Sequence, residues 1–219
     1  MKRLLWLRNE TKAFEERTPL TPLAAKKILD LGHDVIVESS TLRVFKDEEY
    51  SSVGCTIVKS NSWKTNAPES AIILGLKELE DEDLPLIHRH VFFGHCYKGQ
   101  NGSKQLLSRF VQGGGKLYDL EYLVDENQKR IAAFGVWAGF CGAGLGVDLW
   151  LHQQLGIDYN TKAPLRPYKN QNDFIKSIES NLAKLSKKPR ALVIGANGRC
   201  GTGATKLLNA LNISTTKWG

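Results

Sequence analysis

A lysine and a histidine stand at the ends of two consecutive apolar runs. Lys77 closes "AIILGLK", and His95 nearly closes "HVFFGHC". If both runs are strands of one parallel sheet, their carboxyl ends border a crevice of the kind where such sheets gather ligand sites. A lysine and a histidine in one crevice suit proton transfer. Burial and nearby cations lower a lysine's pKa towards neutrality, and histidine titrates there unaided. Further polar groups sit where strands end or loops begin. "ETKAFEER" supplies Lys12 and Arg17, "GLKE" adds Glu78, "GHCYKGQ" adds Lys98 and Gln100, and "YDLE" adds Asp119 and Glu121. Each has a plainer reading as well. Lys77 is equally a solvated strand end, His95 a hydrogen-bonded core histidine, and Arg17 a partner for Glu15 or Glu16. Periodicity does not choose between them.

A second stretch carries chemistry of another kind. "VIGANGRCGTGA", Val193 to Ala204, follows the apolar run "RALVIG" and leads into the helical pattern "RCGTGATKLLNAL". Strand, glycine turn and helix in this order suit a dinucleotide, because backbone N–H groups and a helix N-terminus meet at the pyrophosphate. The glycines are Gly195, Gly198, Gly201 and Gly203. Their spacing is Gly-x-x-Gly-x-x-Gly rather than Gly-x-Gly-x-x-Gly, and glycine turns also occur with no ligand. The usual ribose-binding acid, about 20 residues further on, has no counterpart in the final "TKWG".

The elements that must position these groups alternate. "RLLWLRN" reads as a buried strand. Thr21 and Pro22 then suit the cap and first position of a helix over "PLAAKKILD", which Gly32 ends. "DVIVE" is the next strand. After the two strands bearing Lys77 and His95 come a helix over "SKQLLSRFVQ" and a strand "KLYDLE". A long glycine-containing helix is expected from about Gly135 to Leu155, preceded by a strand-like "RIAAF". The loop "APLRPYKNQND", a helix "DFIKSIESNLAKL" and the strand "RALVIG" follow. Strand–helix–strand units of this length belong to parallel α/β folds. The expected plan is an α/β domain over 1–134, a connecting helix over 135–155, and the opening of a second α/β domain over 156–219.

Composition narrows the classes. Of 219 residues, 42% are hydrophobic and 24% charged, with a net charge of +7. Such a chain buries a core and favours anionic partners. Its densest basic cluster, Lys184 to Arg190, lacks interleaved aromatics, so nucleic acid is not expected. Cys55, Cys96, Cys141 and Cys200 form no Cys-x-x-Cys pair, so no metal site is expected. Reduced cysteines and the absence of a signal-like N-terminus point to the cytoplasm. The uncharged stretch Ile131–Val147 is 17 residues long, short of the roughly 20 that span a membrane. Its glycines suit a closely packed buried helix instead, and no membrane association is expected.

Together "ETKAFEERTPLTP", "SWKTNAPESAIILGLKE", "HCYKGQ", "LYDLEYL", "RIAAFGVWAGFCGAGLG" and "VIGANGRCGTGA" resemble the saccharopine dehydrogenase family, the NAD-dependent, lysine-forming enzymes of the fungal lysine pathway. The resemblance runs through essentially the whole chain. "ERTPLTP" is also similar to the alanine dehydrogenase and transhydrogenase group, the second candidate family. The resemblance implies a Rossmann-like first domain, followed by the incomplete start of an NAD-binding Rossmann domain. It also implies the cofactor NAD and the reaction of saccharopine, NAD and water to L-lysine, 2-oxoglutarate and NADH. It places proton transfer on Lys77 and His95, and substrate contacts on Arg17, Lys98, Gln100, Arg130 and Phe134. Lys12, Glu78 and Glu121 become supporting groups, with the two glutamates tuning the charge around Lys77 and His95. Arg199, Cys200 and Gly201 come against the pyrophosphate and neighbouring ribose. Family members are monomers. Family chains continue for roughly 150 residues more by two-domain size, and Gly219 stands where they have a ribose-binding aspartate. The implied reading is a truncated chain that binds NAD poorly and turns over no saccharopine alone. The other function class is an inactive fragment that binds carboxylates or a partner, with exposed strand edges that favour self-association.

Overall fold

Adjacent residues of a strand face opposite sides of a sheet, and Trp6 and Leu7 in the first strand do so. Trp6 joins a core of Trp63, Ile73, Phe92 and Phe110, whereas Leu7 joins Val35, Val37 and Tyr50. In this computed structural model, residues 2–161, 168 and 170–219 are described. They form two compact units, Met1–Ala132 and Ala133–Gly219.

The first unit is a parallel sheet of β1 (Leu4–Leu7), β2 (Asp34–Glu38), β3 (Thr56–Val58), β4 (Ile72–Leu74), β5 (Arg89–Phe92) and β6 (Lys116–Asp119). The strand order is β3-β2-β1-β4-β5-β6, with every neighbouring pair parallel. The order reverses between β1 and β4, and in open α/β sheets the ligand crevice opens at the carboxyl ends on either side of that reversal. Helix α1 (Pro22–Asp30) begins as expected, with the Thr21 hydroxyl accepting from the Ala24 N–H at 3.2 Å. The short helices α2 (Asp47–Ser51) and α3 (Trp63–Asn66) precede α4 (Ser103–Gly113).

Two polar side chains lie wholly inside this unit. Glu38, at the end of β2, accepts from Trp6 Nε1 at 3.0 Å and from the N–H groups of Trp63, Asn9 and Asn61 at 2.8–2.9 Å. A buried carboxylate is tolerable when every lone pair is met in this way. His90, on β5, lies edge-on to Trp63 and Phe110, with ring centroids at 5.1 and 5.4 Å. Burial, then His88, Arg8 and Arg109, pull its pKa down to about 3, so the ring is neutral.

The second unit contains α5 (Val136–Gln154), α6 (Gln171–Leu182), β7 (Arg190–Ile194), α7 (Arg199–Ala210) and β8 (Ser214–Trp218), with β7 and β8 parallel. Its core joins Phe140, Val147 and Leu151 of α5 to Phe174 and Ile178 of α6 and to Leu207 and Leu211 around α7. Helices α5 and α7 cross closely through glycine. A Cβ on Gly203 would lie 1.8 Å from the Val136 carbonyl oxygen, and one on Gly139 1.8 Å from that of Cys200. The expected strand over "RIAAF" does not form. Arg130 makes only an isolated bridge to Val124 after a turn through Gln128, and Ile131 is exposed, because no neighbouring strand covers it. Much of the loop expected over "APLRPYKNQND" lies outside the described residues, and the helix after it starts at Gln171, capped by Asn170. Among the described residues, no helix is long and apolar enough to cross a membrane, and no cluster of metal-binding type is present.

Candidate active site

The segments leaving the carboxyl ends of β1, β4, β5 and β6 carry the charged groups singled out above, and two chains of ionic contacts link them. In the first, Arg17 forks onto Glu15, with Nε and Nη2 at 2.7 and 2.6 Å from its two oxygens. The Lys77 ammonium stands 3.9 Å from the same carboxylate. The Arg17 hydrogen bond outweighs burial and holds Glu15 below the usual carboxylate range. In the second chain, Lys12 pairs with Glu78 at 3.2 Å, and Glu78 stands 3.8 Å from His95 Nε2. Glu121 faces the other ring nitrogen, Nδ1, at 3.6 Å. Glu121 also binds Lys98 and lies 3.8 Å from Arg130.

His95 therefore stands between two carboxylates, one at each nitrogen. Burial pushes Glu78 up, but its own backbone N–H and the Lys12 ammonium outweigh that, so its pKa is lowered. The Lys98 hydrogen bond lowers that of Glu121. Both are anions at neutral pH. The His95 backbone is left-handed, at φ 50°, unusual for a residue with a side chain. Its ring stacks on Phe93 at 6.0 Å and an 18° tilt. Its half-exposed side chain contrasts with buried His90 five positions earlier. Gln100 braces the neighbouring loop, its Oε1 accepting from the Lys98 N–H at 2.9 Å, and Asp119 accepts from the Glu121 N–H at 2.9 Å.

Such an arrangement can move protons and bind carboxylates. It holds a lysine and a histidine, three glutamates within 3.9 Å of them, and four more cations that lie against these carboxylates. Arginine in particular takes a carboxylate in forked geometry. A cleft of about 350 Å³ opens beside Glu78 and Gly94. A larger one, about 540 Å³, lies at the amino ends of β5 and β6 among Glu69, His88 and Lys116. It gathers none of the acid–base groups, so chemistry rather than size locates the site.

The structure thus brings together Lys12, Arg17, Lys77, Glu78, His95, Lys98, Gln100, Glu121 and Arg130. Phe134 falls in the second unit, where its side chain is exposed. Glu15 is the residue that sequence reasoning treated only as an alternative partner of Arg17. Its place beside Lys77 was not legible, because that 3.9 Å approach joins segments some sixty residues apart.

The glycine turn lies wholly in the second unit. Gly195 has φ 72°, its N–H donates to the Trp218 carbonyl at 2.7 Å, and the Gly198 N–H returns to Gly195 O at 3.0 Å. Gly201 passes so close to the turn that a Cβ would lie 2.1 Å from Gly195 O. No side chain caps α7 at Gly198, and Arg199 and Cys200 are exposed on its first turn. An uncapped helix start behind a tight glycine turn fits a diphosphate. Arg199, Cys200 and Gly201, at the start of α7, are the residues that would hold it, whereas the Gly195 and Gly198 N–H groups are spent within the turn and shape it. Gly203 faces α5 and serves helix packing.

A parallel sheet with a lysine and a histidine beyond its switch point, and a strand–glycine turn–helix unit later in the chain, define a Rossmann-like α/β protein. The family model "Alanine dehydrogenase/PNT, N-terminal domain" matches residues 6–141, and the chain belongs to that family. It is similar to the Yarrowia lipolytica protein "Saccharopine dehydrogenase [NAD(+), L-lysine-forming]", at 49% identity over 95% of this chain and 58% of that one. The Candida albicans protein of the same name is 46% identical over 98% of this chain and 61% of that one. Among solved structures, an L-alanine dehydrogenase shares the fold at TM-score 0.69 and 17% identity, covering 98% of this chain and 54% of the other. The chain therefore spans about three-fifths of the length of these curated relatives.

Proposed function

We propose that this chain carries the acid–base site of an NAD-dependent oxidoreductase of lysine metabolism, converting saccharopine and water to L-lysine and 2-oxoglutarate. One observation carries the reading. His95 stands between Glu78 and Glu121 at the carboxyl end of the sheet, with Lys77 next to Glu78 in sequence and facing Glu15. The names of the relatives supply the substrate.

Bound at the turn of the second unit, NAD would supply the hydride acceptor for the carbon bearing the secondary amine. The chain's own residues handle the protons. One of Lys77 and His95 takes the amine proton as the imine forms. The other draws a proton from the water that adds to the imine carbon, and returns one to the departing lysine nitrogen as the carbinolamine collapses. Glu78 and Glu121 keep negative charge at both faces of His95 while it exchanges protons. Saccharopine carries three carboxylates. Arg17 can take one by exchanging Glu15, and Lys98 and Arg130 the others by exchanging their shared partner Glu121, which leaves these two glutamates free to balance protons gained nearby. The test is NADH formation by the full-length protein. It should appear with saccharopine and stay at background with L-alanine. Turnover of alanine and none of saccharopine would replace this reading with an alanine dehydrogenase-like one.

A further inference from the structure

Lys77 lies just beyond the sheet, and its ammonium is held only loosely. The last residue of β4 is Leu74, and the ammonium reaches its nearest carboxylate only at 3.9 Å, too far for a firm hydrogen bond. Its direction must therefore be set at its backbone. We infer that Arg8 and Glu10, which follow β1, are positioning residues that aim Lys77 by clamping its peptide groups. The inference rests on the acid–base reading of Lys77 above.

Four observations carry it. Glu10 spends both oxygens on this segment: Oε1 accepts from the Leu76 N–H at 2.7 Å and Oε2 from the Lys77 N–H at 2.9 Å. Arg8 Nη2 donates to the Lys77 carbonyl. Both backbone groups of Lys77 are thus held by one pair of opposite charges. Second, that pair is almost fully enclosed, with side chains 3% and 6% exposed and an Nη1–Oε2 distance of 3.5 Å. Third, the pair is costly. Burying two ions is repaid only by good geometry, and Arg8 Nε, in its buried position, has no hydrogen-bond partner among the described residues. Strand pairing alone would join β1 to β4 without that cost. Fourth, the route of Arg8 is built for. Its guanidinium crosses Gly75 so closely that a Cβ there would lie 2.2 Å from Nε, and it rests 5.8 Å from the Phe92 ring centre. The site this clamp serves lies beyond the paired residues of β1 and β4, which end at Leu7 and Leu74, on the side of the sheet where the strand order reverses.

The consequence is a rate effect without a binding effect. Glu10 and Arg8 make no hydrogen bond or ion pair to the groups assigned to the substrate's carboxylates, and Glu10 acts on Arg17 only as an electrostatic influence weaker than that of Glu15, whereas a 1 Å displacement of a reacting group costs on the order of 10²-fold. Glu10→Gln keeps the shape, but its amide nitrogen faces one of the two N–H donors and cannot accept. Arg8→Lys keeps the charge and loses the reach to the Lys77 carbonyl.

The test uses the full-length protein as wild type, Glu10→Gln, Arg8→Lys and Lys77→Met. Trace acetylation with acetic anhydride across pH, read by peptide mass spectrometry, gives the reactivity of Lys77 relative to exposed Lys2. Turnover with saccharopine and NAD gives kcat and KM. In both clamp variants the Lys77:Lys2 ratio should change at least about threefold, and kcat should fall about 10- to 100-fold with KM within about twofold. A wild-type ratio and wild-type kcat in variants that melt cooperatively would overturn the inference. So would equal changes at every lysine, which would mean general loosening. If Glu10→Gln fails to fold, Arg8→Lys decides. Wild-type turnover in Lys77→Met would instead sink the acid–base reading, while a changed labelling ratio would still uphold the clamp.

Discussion

His90 should make the first unit acid-labile. In the folded protein its ring is enclosed by Trp63, Phe92 and Phe110, neither nitrogen has a hydrogen-bond partner among the described residues, and its pKa is about 3 against an ordinary 6.5. The unfolded chain takes up a proton as pH falls below 6.5, and the folded chain does not until about 3. Stability from this residue is therefore whole above pH 6.5 and is lost progressively on acidification through that window. Two units below the unfolded pKa the loss is about 2.7 kcal/mol. For a unit of the size of Met1–Ala132 that is about 10 °C in Tm. His90→Leu removes the proton acceptor while keeping an apolar side chain. The assay is urea unfolding at pH 7.5 and 4.5, followed by tryptophan fluorescence. The wild type should lose about 2.7 kcal/mol more than His90→Leu between the two pH values. Parallel losses in both proteins would refute the reasoning, since His90 would then accept a proton equally well folded and unfolded.

Two further outcomes follow from the packing and from the charge chains. Gly203→Ala should cost about 1–3 kcal/mol, because the new Cβ would lie 1.8 Å from a backbone oxygen of α5; an unchanged urea midpoint for the second unit would show that the helices do not cross there. Arg17→Ala should raise the pH at which Glu15 takes up its proton, since the Arg17 hydrogen bond is the main cause of its lowered pKa. Carboxyl carbon shifts read this titration directly, and an unmoved Glu15 would mean that the fork does not form in solution.

Legibility in the sequence followed length and locality. The places of β4 and β5 were readable from the apolar runs that stop at Lys77 and near His95, although the strands end earlier, at Leu74 and Phe92, and the cap at Thr21 was readable because capping needs only neighbouring residues. The elements β3, α2 and α3 were not readable, because "TIV", "DEEYS" and "WKTN" are shorter than either period needs to show itself. Glu38 and His90 sat within strands as isolated polar letters. Only the tertiary neighbours show that one is met by four donors and the other by aromatic edges. Arg8 reads in the sequence only as part of the strand "RLLWLRN", and Glu10 shows no role there, since the peptide they hold is nearly seventy residues away. Gly203 looked like part of the phosphate turn, because spacing does not say which side of a helix a glycine must clear.

The central claim is that Lys77 and His95 form one proton-transfer unit at the carboxyl ends of β4 and β5. The most direct measurement is single-turnover NADH formation from saccharopine by the full-length protein, comparing Lys77→Met, His95→Gln and the double variant. Each single change should slow the step by about 10²- to 10⁴-fold, and the double variant should be far faster than the product of the two losses, because the groups act on linked transfers. Wild-type rates in either single variant, or losses that multiply in the double, would contradict the claim.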